Sequence, residues 1–332
     1  MKMVRCYTDN PPQRREGSEA KSKNRRPPRD DWGHKMKKKN EKSTRICFAN
    51  VRGIGLQAKH PKSEEIRMFM DDNTVDIMGL AETNVNWGKV RNRDTLWDRT
   101  KQWFRDRKIG VSYNTRQRIT TREQPGGTAT IATNDMAHRF QSSGFDKSGL
   151  GRWSWIRVTG KQNCVTRFVS VYGPSARSGA GTNTVYEQHL EFLQTDPIKD
   201  FWNSLAKEIM EWQNKGEQLI LMGDWNEDIA GTPLRNWMEI FGLQEAITDI
   251  HGNKPPSTYH RGSHAIDGIF VSPSIKAIRA GYLAFGDTPG DHRCIWIDVP
   301  HKMILGYHMA DIPRANARRL KLDDPRTVQK YQ

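Results

Sequence analysis

Gln218-Leu219-Ile220-Leu221-Met222-Gly223-Asp224-Trp225-Asn226 holds the decisive pattern of this 332-residue chain. A short, continuous apolar run that ends in glycine predicts a buried strand. Asp224 and Asn226 follow at the point where a loop leaves the sheet, and such ends are where a rigid scaffold presents chemistry. The two lie two residues apart, so an extended segment would turn both side chains to one face. One could orient or deprotonate a water while the other donates to a phosphate.

Outward from this run, strands and helices follow one another without regular alternation. Upstream, Ile198, Phe201, Trp202, Leu205, Ile209 and Trp212 recur at helical spacing and predict an amphipathic helix from Ile198 to about Gln213. Downstream, Thr232-Pro233 reads as a helix start with a capping hydroxyl, followed by an apolar face of Leu234, Trp237, Met238 and Phe241. Further strands are expected at Ile46–Asn50, Asp76–Leu80, Thr128–Thr133, Trp153–Val158, Arg167–Tyr172, Ile266–Ser272 and Arg293–Val299, with a helix at Lys62–Asp72. Many strands and few helices predict an α/β sandwich rather than a doubly wound sheet. Most of the eleven tryptophans read as core. Trp87 is kept as an exposed loop residue able to stack on a base.

Composition bounds the partners. Hydrophobic residues make up 35% of the chain, and the net charge is +15. The charge is uneven: residues 1–44 hold 14 Lys/Arg against 6 Asp/Glu, and residues 301–332 hold 7 against 3. Residues 1–44 therefore read as a disordered basic arm, 45–300 as the folded catalytic domain, and 301–332 as a basic tail or linker. A basic arm on a near-neutral domain suits a polyanion, DNA first and RNA through the arm, because Lys and Arg displace counterions from phosphates. A merely solvated tail is the plainer alternative. Lys35, Lys37, Lys38 and Lys39 are compatible with a nuclear address. Cys6, Cys47, Cys164 and Cys294 are scattered, which predicts an intracellular, reducing setting without disulfides or structural zinc. No apolar run reaches the ~20 residues that span a bilayer, and the charged N-terminus does not read as a secretory signal.

Four other segments set polar residues at strand ends: Asn50; Glu82 in Leu80-Ala81-Glu82-Thr83-Asn84; Tyr172 in Val171-Tyr172-Gly173-Pro174; and Asp267 together with Gly290-Asp291-His292. Singly, each is more often a turn former or a structural residue. Together they supply what phosphodiester cleavage needs. Glu82 offers a hard carboxylate and Asn50 an amide oxygen for a cation such as Mg²⁺. Asp267 and Asp291-His292 offer a carboxylate-oriented imidazole.

The five segments, in this order between Ile46 and Val299, resemble the endonuclease/exonuclease/phosphatase superfamily. The resemblance implies a four-layered α/β sandwich, two mixed sheets packed face to face with helices outside. It implies Mg²⁺, with Mn²⁺ as a substitute, held by Asn50 and Glu82, with Asp291 as a second or alternative contact. It further implies Tyr172 and Asn226 at the scissile phosphate, Asp224 positioning the attacking water, and His292 at the phosphate with Asp267 orienting it. The chain departs from the family pattern at Arg52, where a second acidic residue is frequent, and at Ala81, Ser175 and Gly290.

Within the superfamily, Ala81-Glu82-Thr83-Asn84 and residues 315–326 resemble retroelement endonucleases, which implies nicking of DNA by direct in-line attack of water. A phosphomonoesterase acting on inositol phosphates or nucleotides, and an inactive nucleic-acid-binding remnant, are the alternatives. Target choice is expected to rest on loops at Trp87–Arg99, Ser175–Thr184 and Asp249–Ser263.

Overall fold

The computed structural model describes residues 30–116, 121–175, 184–252 and 254–306. Along the chain the strands are β1 (Trp32–Gly33), β2 (Ser43–Asn50), β3 (Ile77–Ala81), β4 (Arg107–Ser112), β5 (Thr128–Thr133), β6 (Phe140–Phe145), β7 (Trp153–Thr159), β8 (Val165–Tyr172), β9 (Gln218–Asp224), β10 (Gln244–Glu245), β11 (Asp267–Val271), β12 (Arg279–Tyr282) and β13 (Ile295–Pro300). The helices are α1 (Pro61–Asp72), α2 (Leu96–Trp103), α3 (Asn134–His138), α4 (Val185–Leu193), α5 (Pro197–Asn214), α6 (Thr232–Ile240), α7 (Ala246–His251) and α8 (His301–Leu305).

The strands form two mixed sheets, ordered β1-β12-β13-β2-β3-β5-β4 and β10-β11-β9-β8-β7-β6. Ile46, Phe48 and Ile77 of the first sheet pack with Ile156, Phe168 and Met222 of the second, and α5 covers the second sheet's other face with Phe201, Leu205, Ile209 and Trp212. Cys47, Met78 and Leu80 turn to the first sheet's outer face, under Ile66, Phe69 and Met70 of α1 and Leu96 of α2. The layers are thus helix, sheet, sheet, helix, as expected. Both outward and inward faces of β2, β3, β8 and β9 are covered, which is why these strands lack polar alternation.

Each sheet contains one parallel pair, β2 with β3 and β8 with β9. Near the ends of these pairs the sheets approach closely. A Cβ on Gly79 would lie 2.8 Å from Ser170 Oγ and 2.9 Å from both Met222 Sδ and a Phe48 ring carbon. Hydroxyls fill the gap, with Thr130 Oγ1 2.7 Å from Ser170 Oγ. These contacts hold the C-terminal ends of the two parallel pairs side by side.

Several expectations change. Residues 30–44, read as part of a disordered arm, belong to the fold. Trp32 pairs with Tyr282 across β1 and β12, Asp30 pairs with Arg293, and Lys39 Nζ lies 2.5 Å from Asp76 Oδ2. Buried Arg45 donates to the Lys37 carbonyl, so the segment supplies one of the acceptors that this guanidinium needs. At the other end, α8 buries Ile304 and Leu305, so the fold runs past Pro300. Residues 1–29 and 307–332, including 315–326, lie outside the described residues. Trp87 is buried beneath the Arg99 guanidinium rather than exposed for stacking. Thr232 opens α6 without a side-chain capping bond; Gly231 is the cap residue. Cys47, Cys164 and Cys294 are free thiols.

Arg45 and Asp298 face each other across β2 and β13, joined at 2.8 and 2.9 Å with both side chains almost fully buried. Removing one partner of such a pair strands a charge in low dielectric. Asp298→Ala is therefore expected to lower unfolding stability by about 3–5 kcal/mol, measured by urea denaturation.

Candidate active site

The strand register builds the site. Tyr172, Asp224 and Asp267 are direct cross-strand neighbours on β8, β9 and β11, so they form a row at the edge of the second sheet. Asn50 ends β2 beside Ala81 of β3, and Glu82 follows at once. These residues converge where the sheets meet. Asn50 Nδ2 donates to Glu82 Oε1 and to Asp224 Oδ2, both at 2.9 Å, so one amide spans the two sheets.

His292 enters from the loop before β13. Its Nδ1 lies 2.8 Å from Asp267 Oδ2, and its Nε2 lies 3.9 Å from Asp224 Oδ2. The backbone fixes this approach. Gly290 sits at φ 142°, and a Cβ there would lie 2.4 Å from the Asn50 carbonyl oxygen. A side chain is therefore excluded by contact as well as by conformation. Thr258 Oγ1 accepts from the Asp267 N–H at 3.1 Å, which secures the other partner.

Asn226 reaches the site by a route other than strand alternation. Its φ is 51°, so the chain has already turned. The Asp224 carboxylate accepts the Asn226 N–H at 3.1 Å, and Asn226 Nδ2 donates to the Gly173 carbonyl at 2.8 Å. This is the local turn that a short acidic side chain favours. Arg52, Glu82, Asn84 and Asn226 all adopt left-handed φ between 45° and 54°. Such non-glycine conformations cost free energy and persist where the surroundings over-determine them.

Electrostatics separate the roles. Burial, and then the Asp267 charge, raise the Asp224 pKa to about 7, partly offset by His292 and the Asn50 hydrogen bond. For His292, burial alone favours the neutral ring, but the Asp267 charge and hydrogen bond, with Asp224 and Glu82 behind, raise its pKa to about 10. Burial, and then the Glu82 and Asp224 charges, push the Tyr172 hydroxyl well up. The site thus holds a protonated imidazole beside a carboxylate of unusually high basicity.

The donors suit a hard divalent cation at one place. Glu82 is half-buried and lines a cavity of about 1040 Å³ with Tyr172. Asn50 Nδ2 faces Glu82, and its Oδ1 accepts the Arg52 N–H at 3.0 Å and keeps a second lone pair. Oxygen donors of this kind fit Mg²⁺ or Mn²⁺. Asp224, Asp267 and His292 also bring ligand-type atoms within 4.8 Å of one another. An imidazolium bonded to Asp267 has no lone pair to give, so we read that group as an ion-pair chain. Asp291 does not join either set: its Oδ2 lies 3.0 Å from Arg52 Nη1.

Tyr259 was not foreseen. Its ring packs against His292 with centroids 5.0 Å apart, and its backbone pairs with that of His292. Nothing local in the sequence ties the two together. The expected target loop at Asp249–Ser263 does contain Tyr259, so the position was legible though the contact was not.

A family model described as the endonuclease/exonuclease/phosphatase family matches residues 47–292. A search of curated protein sequences finds no match. Among solved structures, the human Nocturnin catalytic domain is 16% identical, with a TM-score of 0.54 over 82% of this chain and 97% of that one. The AP endonuclease LMAP from Leishmania major is 14% identical, with a TM-score of 0.57 over 78% and 88%. The 3' phosphatase NExo from Neisseria, bound to product DNA hairpin, is 17% identical, with a TM-score of 0.53 over 77% and 99%. These likenesses carry the fold, and the sequence match over most of the chain carries the lineage: this protein belongs to the endonuclease/exonuclease/phosphatase family.

Proposed function

We propose that the chain is a metal-dependent phosphodiesterase that nicks DNA by in-line attack of water, of the retroelement endonuclease type. The observation that carries this reading is the setting of Asp224, held at 2.9 Å by the Asn50 amide and 3.9 Å from His292 Nε2. A basic carboxylate and a protonated imidazole lie side by side, next to Glu82 and Tyr172, which line the cavity. That is the pairing an acid–base step requires.

In this reading Asp224 orients the attacking water and takes its proton. His292, held by Asp267, donates from Nε2 to a non-bridging phosphate oxygen as charge develops. Asn226 gives one amide N–H to Gly173 and directs the other to the phosphate, while Tyr172 fixes Glu82 and borders the same oxygen. Preorganised donors of this kind stabilise the transition state because they need no reorientation. Glu82, with the Asn50 amide oxygen, would hold the divalent cation. When bound, that ion supplies positive charge at the phosphoryl oxygens and eases ionisation of water.

DNA as substrate is supported by the printed identity of two fold relatives, an AP endonuclease and a phosphatase bound to a DNA hairpin. The retroelement type is supported by Ala81-Glu82-Thr83-Asn84 and by the likeness of residues 315–326.

Asp224→Ala is expected to slow nicking of supercoiled plasmid by roughly 10²–10⁴-fold while duplex binding persists; unchanged nicking would refute the assignment. The rate should rise with pH through about 7, as Asp224 loses its proton, and fall above about 10, as His292 loses its own. A pH–rate profile on a synthetic phosphodiester checks both limbs. Chelation with EDTA should abolish cleavage, and added Mg²⁺ or Mn²⁺ should restore it.

A further inference from the structure

Asp291 precedes His292 but serves a different surface. Its Oδ2 lies 3.0 Å from Arg52 Nη1 and 4.0 Å from His260 Nδ1. Arg261 Nε donates to His260 Nε2 at 3.1 Å. A neutral ring that accepts at Nε2 carries its proton on Nδ1, the atom turned to Asp291. One carboxylate therefore gathers a guanidinium, an imidazole and, through the imidazole, a second guanidinium. The set carries net positive charge at the mouth of the site.

The geometry holding Arg52 is more elaborate than a surface ion pair needs. Its backbone is left-handed, its N–H is held by Asn50 Oδ1, and its carbonyl accepts from Lys62 Nζ at 3.0 Å. The next residue, Gly53, donates its N–H to the Glu82 carbonyl at 2.7 Å. The turn is therefore built from the same residues as the site. An exposed ion pair adds only about 0–1 kcal/mol, which does not by itself account for a strained, fully braced backbone. The Arg52 side chain is 58% exposed, and Arg52 also lines the cavity that Glu82 and Tyr172 border. Its guanidinium has five N–H donors, and the Asp291 contact uses one. The others face solvent in the planar geometry that matches a phosphate.

We propose that Arg52, His260 and Arg261, assembled on Asp291, form a subsite for the phosphate next to the scissile one. The subsite selects a polynucleotide over a phosphomonoester, which has no neighbouring phosphate to offer. Arg52 and Arg261 are the specificity-determining residues, and Asp291 is a positioning residue rather than a metal ligand. The inference rests on the proposed phosphodiesterase reading and names the substrate class of that same site. It also gives a reason for the arginine that stands where the family frequently has an acid: at this position the chain carries a cation for substrate.

The test separates binding from chemistry. Affinity for a fluorescein-labelled DNA duplex is measured by anisotropy across a salt series, for the full chain and its variants. Arg52→Ala and Arg261→Ala should each flatten the slope of log affinity against log salt by about one, and Arg52→Lys should restore most of it. The ratio of kcat/KM for duplex to that for thymidine 5′-monophosphate p-nitrophenyl ester should fall by about tenfold in each alanine variant. Asp291→Asn should flatten the slope yet keep wild-type Mn²⁺ affinity by calorimetry. Unchanged slopes in both alanine variants would overturn the proposal, and so would loss of Mn²⁺ binding in Asp291→Asn. Loss of the Asp224 assignment would leave the slopes standing as a test, because they read binding alone.

Discussion

A single side-chain amide joins the two halves of this molecule where it matters. Asn50 ends a strand of one sheet, and its Nδ2 bonds to Glu82 of that sheet and to Asp224 of the other. Two carboxylates would otherwise repel across the seam. The amide satisfies both without adding charge, so the strand ends of the two sheets can meet in a cluster of acids. Its oxygen meanwhile accepts the Arg52 N–H, which locks the following turn. The positions of Glu82, Asp224 and Arg52 are therefore one constraint rather than three.

Around this amide the charges form a sequence. Asp267 has one oxygen on His292 and the other buried without a hydrogen-bond partner among the described residues. The buried carboxylates stay compatible with folding because the imidazole between them is protonated. Burying such a group is costly unless it is paired, and the pairing here fixes both a proton donor and a proton acceptor. The family resemblance predicted these identities. The distances add which atom of His292 faces Asp267 and which faces Asp224.

In the proposed subsite, Asp291 keeps the motif's residue and takes a different use. The family pattern implies a metal contact at this position. With Arg52 opposite, the carboxylate is neutralised by a guanidinium, and its neighbours His260 and Arg261 turn the local surface positive. The consequence follows from one departure in the sequence, but it becomes visible only with the loops after β2 and before β13 in contact.

The sequence by itself made the central strands legible and named the candidate groups of the site. β5 was bounded as Thr128–Thr133, and β8 and β9 within two residues, because β-branched and apolar residues crowd these strands and a glycine marks one boundary of each. The long stripe of α5 was equally plain. Edge and short elements such as β1, β4, β10 and β12 were not legible, since half-exposed strands of two to six residues carry little periodic signal. The order of residues 30–44 was hidden too, because their partners Asp76, Tyr282 and Arg293 lie far along the chain. Tertiary structure alone decided the convergence. Cross-strand register sets Tyr172, Asp224 and Asp267 in a row, and sheet packing brings Asn50 and Glu82 to it. Those relations join residues from about thirty to 174 positions apart, and no local spacing encodes them.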